Sequence, residues 1–302
     1  MSTLNLKSLL KKSTDKGNFK SLDDFFNFAN KYLEFIETGL QAKIIAQNEI
    51  NYTFFQYKKD GGYKISRPIN SDLFLSINEY PKVISKIKNL LKNKDKIKRA
   101  NKTNRENLKK CIYTTQQTIG ACLDALPVGE SNKARKLVGD YFELFIRLFI
   151  NKMGFKCSSE WVEIPIKKSG KTLFKMKYQH DLLIKKETAL KIIGSVKTSS
   201  KDRIDKIFID KFLYSKLTGT YVPHIAVFLN DVQRKKTKSK RKYGINSTFL
   251  SGHFKGYTIK LNPLDGVYYC DIRPNMISEN FLKKHIKTID YFFCEDLWKL
   301  TK

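Results

Sequence analysis

The chain has 302 residues, of which 41% are hydrophobic and 13% aromatic. This is enough apolar material for one large domain, or for a modest domain with an accessory one, and it excludes a globally disordered protein. The charge is lopsided, with 58 basic residues against 29 acidic ones and a net charge of +29. A protein so charged repels itself unless a polyanion shares its surface, so nucleic acid or an acidic membrane face is the leading partner. The alternative is a generally lysine-rich proteome.

Simple patterns exclude several other classes of protein. The most apolar run, Leu144 to Ile150, is interrupted by Arg147 and is far shorter than the ~20 residues that cross a bilayer. Met1 to Lys12 holds scattered lysines but no apolar signal core, so we do not expect export. Without a run that spans a bilayer, nucleic acid is preferred and no membrane partner is expected. The five cysteines are widely spaced and include no CxxC pair, which favours reduced thiols in a cytoplasm over a zinc ribbon. The four histidines are scattered, which argues against a histidine-based metal cluster.

The first part of the chain is predicted to be mainly helical. Apolar residues at helical spacing predict a helix from Leu22 to Ala46, and Ser21 is its expected N-cap. Two short strands, Tyr52 to Tyr57 and Tyr63 to Ile65, are predicted to form a hairpin around Asp60-Gly61-Gly62.

Two helical stretches follow the hairpin. Val83 to Lys98 is basic and amphipathic, and Asn107 to Leu126 is a second helix. Across their junction, Lys92 to Lys110 is almost entirely polar, so it is either a long solvated helix or a surface that faces phosphates. The pattern of residues along the chain changes at Pro127-Val128-Gly129. We predict a boundary there between a mainly helical region, 1–126, and a second domain, 127–302.

The second domain is predicted to be α/β. Ser131 is the expected cap of a helix from Asn132 to Met153, and Gly154 is its expected C-cap. The elements predicted next are strands at Trp161 to Ile166, Leu173 to Tyr178, Asp181 to Ile184 and Leu190 to Lys197, a helix at Arg203 to Leu217, and a strand at His224 to Leu229. This order is typical of a mixed sheet flanked by helices.

A strongly basic segment follows the last of these strands. Seven of the nine residues from Arg234 to Lys242 are basic, and they include Arg234, Lys235 and Lys236. The segment has no apolar face with which to pack, so we predict a surface loop that is either solvated or grips the phosphates of DNA.

One pair of residues is suited to chemistry. Asp181 stands at the start of an apolar strand, and Lys197 stands at the end of the next one. Two adjacent strands would place this acid and this lysine side by side at one edge of the sheet. That arrangement is typical of metal-dependent phosphodiesterases, in which a carboxylate holds Mg²⁺ and a lysine orients or deprotonates the attacking water and offsets charge on phosphorus. Taken alone, such a pair is more often a surface salt bridge.

Further acids on two helices could join this pair. Glu143, together with Asp140, lies on the preceding predicted helix and could reach back to the site. Asp210 lies thirteen residues beyond Lys197, in the next predicted helix. There it is either an exposed helix residue or a second metal ligand.

The turn after Lys197 combines hydroxyl groups with charges. Thr198, Ser199 and Ser200 stand where a helix begins, and hydroxyls beside free helix N–H groups suit a phosphate. Lys201, Asp202 and Arg203 follow, and such side chains suit base edges in the major groove.

Asp181, then Ser195-Val196-Lys197, then a delayed acid at Asp210, resembles the PD-(D/E)xK nuclease motif. In particular it resembles the permuted variant found in type II restriction endonucleases that read CCGG, CCNGG or CCWGG sites, the group that includes EcoRII. The resemblance covers about Arg135 to Leu229, with no counterpart for 1–126. It implies an α/β, restriction-endonuclease-like mixed sheet flanked by helices.

The resemblance also implies roles for individual residues. Lys197 would be the catalytic lysine, Ser195 would occupy the place of the usual acid, and Glu143 would be a supporting acid. Asp181, Asp210 and Val196 would form the Mg²⁺ site. The residues assigned to DNA are Thr198, Ser199, Ser200, Lys201, Asp202, Arg203, Arg234, Lys235 and Lys236, of which Lys201, Asp202 and Arg203 would read bases.

The sequence departs from the family pattern at several positions. His180 replaces the proline before the aspartate, and Asp210 is one methylene shorter than the expected glutamate. Lys201 and Asp202 stand where Arg and Glu would be. These replacements could loosen the bidentate contacts with bases and change the DNA sequence that is recognised.

The function implied is a type II restriction endonuclease of a prokaryotic cytoplasm that makes Mg²⁺-dependent double-strand cuts at a short, C/G-containing site. The resemblance further implies a homodimer on double-stranded DNA, a role for 1–126 in dimerisation or DNA contact, and a companion DNA methyltransferase. One alternative is a repair, recombination or mobile-element nuclease of the same fold. Another is a non-catalytic nucleic-acid-binding protein, in which Tyr52, Phe54, Phe55 and Tyr57 could stack on bases, although a core strand is the more usual role for such residues.

Overall fold

The protein is seen in a computed structural model that describes residues 5–59, 62–200, 203–235 and 243–302. Its N-terminal elements are α1 (Leu6–Thr14), α2 (Leu22–Thr38), β1 (Ala42–Ile45), β2 (Tyr52–Lys59), β3 (Gly62–Ile65), β4 (Ile69–Asn70), α3 (Tyr80–Leu91), α4 (Lys94–Lys98) and α5 (Lys102–Leu123). The next elements are α6 (Ser131–Lys152), β5 (Lys156–Ser158), β6 (Trp161–Lys168), β7 (Lys171–Gln179), β8 (Leu182–Lys186), β9 (Ala189–Ser199), α7 (Ile204–Thr218) and β10 (His224–Asn230). The last are β11 (Val232–Lys235), β12 (Gly244–Ser247), α8 (Ser251–Lys260), β13 (Gly266–Tyr269), α9 (Pro274–Ser278), α10 (Asn280–His285), β14 (Ile286–Thr288), α11 (Ile289–Tyr291) and α12 (Leu297–Leu300), with a π-helical turn at Phe292–Asp296 between the final two.

Helix α2 begins as predicted but ends earlier. The Ser21 side chain accepts a hydrogen bond from the Asp24 N–H, and the Asp24 carboxylate accepts one from the Ser21 N–H, which makes a capping box. The predicted extension to Ala46 was wrong, because the helix ends at Thr38. Residues 42–45 instead pair antiparallel with β2 and alternate in burial with the period of a strand.

The predicted hairpin is confirmed, since β2 and β3 pair antiparallel; Asp60 and Gly61 lie outside the described residues. On β2 the aromatic side chains Tyr52, Phe54, Phe55 and Tyr57 are at most 3% exposed. They belong to the core, so the alternative in which they stack on bases was wrong.

The polar stretch from Lys92 to Lys110 is not one long helix. It is divided among the C-cap of α3, the short helix α4 and the start of α5. Ile97 and Leu108, two of its few apolar residues, are buried and anchor it to the core. The alternative in which this stretch is a surface that faces phosphates stays a prediction.

Helix α6 carries the site acid Glu143, and its ends follow local rules only in part. It begins at Ser131, and Glu130 occupies the cap position without a side-chain hydrogen bond, so the prediction of Ser131 as the cap was wrong. Gly154 adopts φ +89° just after the helix, as expected for a residue that ends it.

One hydrophobic cluster runs across the predicted boundary at Pro127-Val128-Gly129. It joins buried residues of α1 to α6 to one face of the central sheet. The two predicted domains therefore share one hydrophobic core. The division into 1–126 and 127–302 stays a prediction.

The predicted mixed sheet flanked by helices is confirmed. The sheet has the order β14-β13-β10-β9-β8-β5, in which β9, β10, β13 and β14 are parallel. β8 and β5 are each antiparallel to their preceding neighbour in that order. Along β10, Ile225, Val227 and Leu229 join the cluster shared with α1 to α6, whereas Ala226 and Phe228 face α7 and α8.

Two predicted segments lie outside this sheet. β6 and β7 form a separate antiparallel hairpin that packs through Ile164 near Tyr214 of α7. Arg234 and Lys235 lie on β11, which pairs with β12, so the prediction that they belong to an irregular loop was wrong. Both residues are exposed.

The five cysteines are free and buried, as the prediction of reduced thiols requires. Among the described residues, every helix is too short or too polar to span a bilayer.

A buried carboxyl joins the N-terminal sheet to the central one. Asp271, just after β13, accepts hydrogen bonds of 2.8 Å from the Tyr52 hydroxyl and from Nδ2 of Asn70. Burial raises the pKa of Asp271 from 3.8 to about 6. The folded protein therefore holds this proton at pH values where the unfolded chain has lost it.

This pKa predicts a pH-dependent stability difference between the wild-type protein and Asp271→Asn. The unfolded state binds fewer protons between pH 3.8 and 6, so the stability that Asp271 contributes is full below that window and lost as pH rises through it. We expect the wild type to lose about 3 kcal/mol relative to Asp271→Asn across the window. Urea unfolding at several pH values measures this, with the exposed Asp72→Asn as control. A difference that does not vary with pH would contradict it.

Candidate active site

Asp181 and Lys197 meet at one edge of the central sheet. β8 and β9 are antiparallel with Leu182 opposite Gly194, which brings the residue before β8 next to the end of β9. The Lys197 Nζ donates to Asp181 Oδ2 at 2.5 Å, and the Val196 N–H donates to the same oxygen at 2.9 Å. The acid is therefore fixed by the backbone of the strand that carries the lysine.

Glu143 reaches the same lysine from α6. Buried Val138, Phe142 and Phe145 hold this helix against the rest of the protein, and Glu143 lies on its partly exposed flank. The Lys197 Nζ donates to Glu143 Oε1 at 3.1 Å. The side chains of Lys197, Glu143 and Asp181 are 29%, 22% and 17% exposed, so a solvent-borne group can reach them.

Burial and neighbouring charges shift the protonation of Lys197 and Glu143. Burial alone would lower the pKa of Lys197, but the charges and hydrogen bonds of Asp181 and Glu143 outweigh it and raise that pKa. Burial, reinforced by the charge of Asp181, raises the pKa of Glu143 against the opposing charge of Lys197. At neutral pH Lys197 is thus an ammonium ion that serves two carboxylates.

A small aromatic cluster lies beside Asp181. His180 is buried and stacks on Tyr178 with the ring centroids 5.9 Å apart, and His224 lies edge-on at 6.2 Å. Burial lowers the pKa of His180, and it lowers that of His224 to about 4, so both rings are neutral near pH 7. His180, which directly precedes Asp181, is therefore an uncharged packing element near pH 7.

Asp210 lies elsewhere on α7. Lys206, one turn earlier, donates to Asp210 Oδ2 at 2.5 Å, and the charge of Asp210 acts on neighbouring His180. Over the described ranges, no group of three or more His, Cys, Asp or Glu residues is placed to hold a metal ion. The role of Asp210 as a metal ligand stays a prediction.

The residues flanking Lys197 are built into the sheet. Ser195 lies opposite Ala226 of β10, and the Val196 side chain is buried. The hydroxyls of Ser199 and Ser200 lie 3.2 and 3.3 Å from that of Thr248. Ser200 is only 1% exposed, which favours a structural role for it.

The remaining residues assigned to DNA are placed in part. Thr198 is half-buried on β9, and Arg203 is exposed at the N-cap of α7. Lys201, Asp202 and Lys236 lie outside the described residues. The DNA contacts of all these residues stay predictions.

Sequence reasoning missed two cations near Glu143. Arg147, noted only as an interruption of an apolar run, follows Glu143 by four residues on the same face of α6. That spacing was a usable signal. Lys16, from the 3-10 turn Lys16–Asn18, contacts Asp140 across a sequence distance that no local pattern reveals.

The donor groups fit a magnesium ion. Asp181 and Glu143 offer carboxylate oxygens around one ammonium group, and Mg²⁺ in phosphoryl-transfer sites usually takes one or two carboxylates together with waters and substrate phosphates. Because the Asp181 and Glu143 side chains are partly exposed, waters and substrate phosphates have room to complete the coordination.

One solved structure resembles this chain over almost its whole length. The crystal structure of the Type IIP restriction endonuclease Kpn2I is similar over 98% of this chain and 97% of its own, with a TM-score of 0.72 and 18% sequence identity. The chain has a restriction-endonuclease fold. The similarity includes residues 1–126, for which the sequence suggested no counterpart. The restriction endonuclease PspGI in complex with substrate DNA matches with a TM-score of 0.40 and 12% identity, over 72% of this chain and 91% of its own. No protein-family model and no curated protein matches the sequence.

Proposed function

We propose that the protein is a type II restriction endonuclease that makes Mg²⁺-dependent double-strand cuts at a short, C/G-containing DNA site. The observation that carries the proposal is the convergence of Asp181, Glu143 and Lys197 at one sheet edge of a restriction-endonuclease fold. The net charge of +29 suits a DNA partner.

In this proposal Asp181 and Glu143 hold the Mg²⁺. Glu143 is favoured over Asp210 as the second carboxylate because it shares the ammonium of Lys197 with Asp181, whereas Asp210 pairs with Lys206. A bound divalent ion supplies Lewis-acid polarisation of the scissile phosphate.

The chain's own residues then have distinct tasks. The Val196 N–H keeps Asp181 oriented toward the site. The raised pKa of Lys197 keeps it protonated, so it offsets the charge that develops on the phosphate and can donate a proton from Nζ. An ammonium group beside the scissile phosphate is suited to electrostatic stabilisation.

The finer parts of the proposal concern specificity and partners. Arg203, exposed where α7 begins, is a proposed base reader together with Lys201 and Asp202. A palindromic site would require a homodimer, because two-fold protein symmetry mirrors the symmetry of the DNA. A companion DNA methyltransferase and a prokaryotic cytoplasm follow from the same proposal.

Digestion of a plasmid of known sequence tests the function. With Mg²⁺ we expect discrete bands whose ends define one short site, and with EDTA we expect intact plasmid. A smear would identify a nonspecific nuclease of the same fold. Intact plasmid under every metal and salt condition, with DNA binding retained, would identify a non-catalytic DNA-binding protein.

A further inference from the structure

A cleft opens beside Glu143 on the exposed flank of α6. It is lined by Asp140, Tyr141, Glu143, Leu144 and Arg147, and by Lys16 from the turn before α2, and its volume is about 240 Å³. At ~30 Å³ per water, it has room for about eight water molecules, which is enough for a hydrated phosphate group. The cleft is thus continuous with the candidate active site through Glu143.

Within the cleft, the two carboxylates are already engaged. Asp140 contacts the ammonium of Lys16, and Glu143 accepts from Lys197. In the part of the chain that the structure describes, Arg147 forms no ion pair with either acid or with any other carboxylate. Arg147 is therefore a half-buried arginine that lines the cleft without a carboxylate partner among the described residues.

The position of Arg147 relative to Glu143 suits a nucleic-acid strand. Four residues along an α-helix advance about 6 Å on the same face, a step comparable to the separation of neighbouring phosphates in one strand. Arginine presents a planar fork of donors that matches two phosphate oxygens. Lys16 neutralises Asp140, whose charge would otherwise repel a phosphate.

Resting on the proposed nuclease function, we propose that this cleft is a subsite for a backbone phosphate next to the scissile one. Arg147 binds that phosphate, and Lys16, paired with Asp140, keeps that acid from repelling it. Arg147 is a positioning residue, because it holds the strand in register with Asp181 and Lys197 without touching the reacting phosphorus.

Phosphate neutralisation tests the subsite directly. Binding is measured in EDTA on a 20-base-pair duplex that spans the cut site, in unmodified form and with a single methylphosphonate at each phosphate near the cut. We expect Arg147→Gln to bind the unmodified duplex about 10-fold more weakly. The decrease of log K with log salt should also become shallower, by about 0.9 in slope, because one phosphate contact is lost. A methylphosphonate at one neighbouring phosphate should weaken wild-type binding about as much, and should have no further effect on Arg147→Gln.

Two other variants complete the design. Arg135→Gln, an exposed arginine near the start of the same helix, should show the wild-type response to every methylphosphonate. Arg147→Lys, which keeps the charge without the fork, should recover part of the affinity and part of the coupling. Thermal unfolding of each variant verifies that it folds.

Suppose that the protein cuts at a defined site, but that Arg147→Gln responds to each methylphosphonate as Arg135→Gln does. This result would contradict the phosphate subsite and leave the proposed nuclease function standing. The subsite fails together with the proposed function if no defined cut site exists.

Discussion

Asp181→Asn is expected to abolish DNA cleavage while leaving DNA binding nearly intact. Asp181 is the acid that both the Lys197 ammonium and the Val196 N–H address, so its charge organises the site. An asparagine keeps the size of the side chain but removes the charge that a divalent ion and the lysine require. A metal contributes several kcal/mol to stabilising the transition state, so we expect the single-turnover cleavage rate to fall by about 1,000-fold or more.

Binding should respond differently from cleavage. Phosphate contacts dominate DNA affinity, and the substitution removes one negative charge near the strand. Gel-shift titration in EDTA should therefore give an affinity equal to or above that of the wild type. Asp72→Asn, a matched change at an exposed position after β4, should leave both properties unchanged. Cleavage by Asp181→Asn within 10-fold of the wild-type rate would remove Asp181 from the active site.

The pairing of Asp181 with Lys197 was within reach of the sequence because a local pattern determines it. Two apolar strands joined by a short turn must be neighbours, and the polar residues at their adjoining ends must then share an edge. Glu143 was harder, because its approach depends on how α6 packs on the sheet. Its helical spacing from Phe145 and Phe149 nevertheless indicated which flank stays exposed.

Asp210 shows where sequence spacing stops being informative. Its distance along the chain from Lys197 resembles the PD-(D/E)xK spacing, but only the rotation of α7 decides what the side chain contacts. In the structure it pairs with Lys206, and its role as a metal ligand stays a prediction. The same limit hid Lys16, since only the tertiary fold brings the turn before α2 to Asp140. The early end of α2 has a related cause, because pairing with β2 outweighs the helical preference of residues 42–45.

Phe145→Ala is expected to be among the most destabilising single changes in the core. The Phe145 ring is fully buried, stacks on Phe25 at 4.9 Å and lies 5.1 Å from Phe149. Removing it deletes a large apolar contact and leaves a cavity between α2 and α6, which costs about 3–5 kcal/mol. Urea unfolding should show this loss, whereas Phe174→Ala, at a residue that is 57% exposed on β7, should change stability by less than about 1 kcal/mol.

The same experiment tests the boundary at Pro127-Val128-Gly129, because Phe145 connects the helices before it to the helix after it. If the shared cluster makes the chain one cooperative unit, helical circular dichroism and the fluorescence of Trp298, read in a Trp161→Phe background, lose their signals together. Phe145→Ala should then shift both transitions by the same denaturant concentration. If 1–126 unfolds as a separate domain, the variant should separate the two transitions, since it weakens the contact between α2 and α6 while the sheet and the residues around Trp298 keep their own packing.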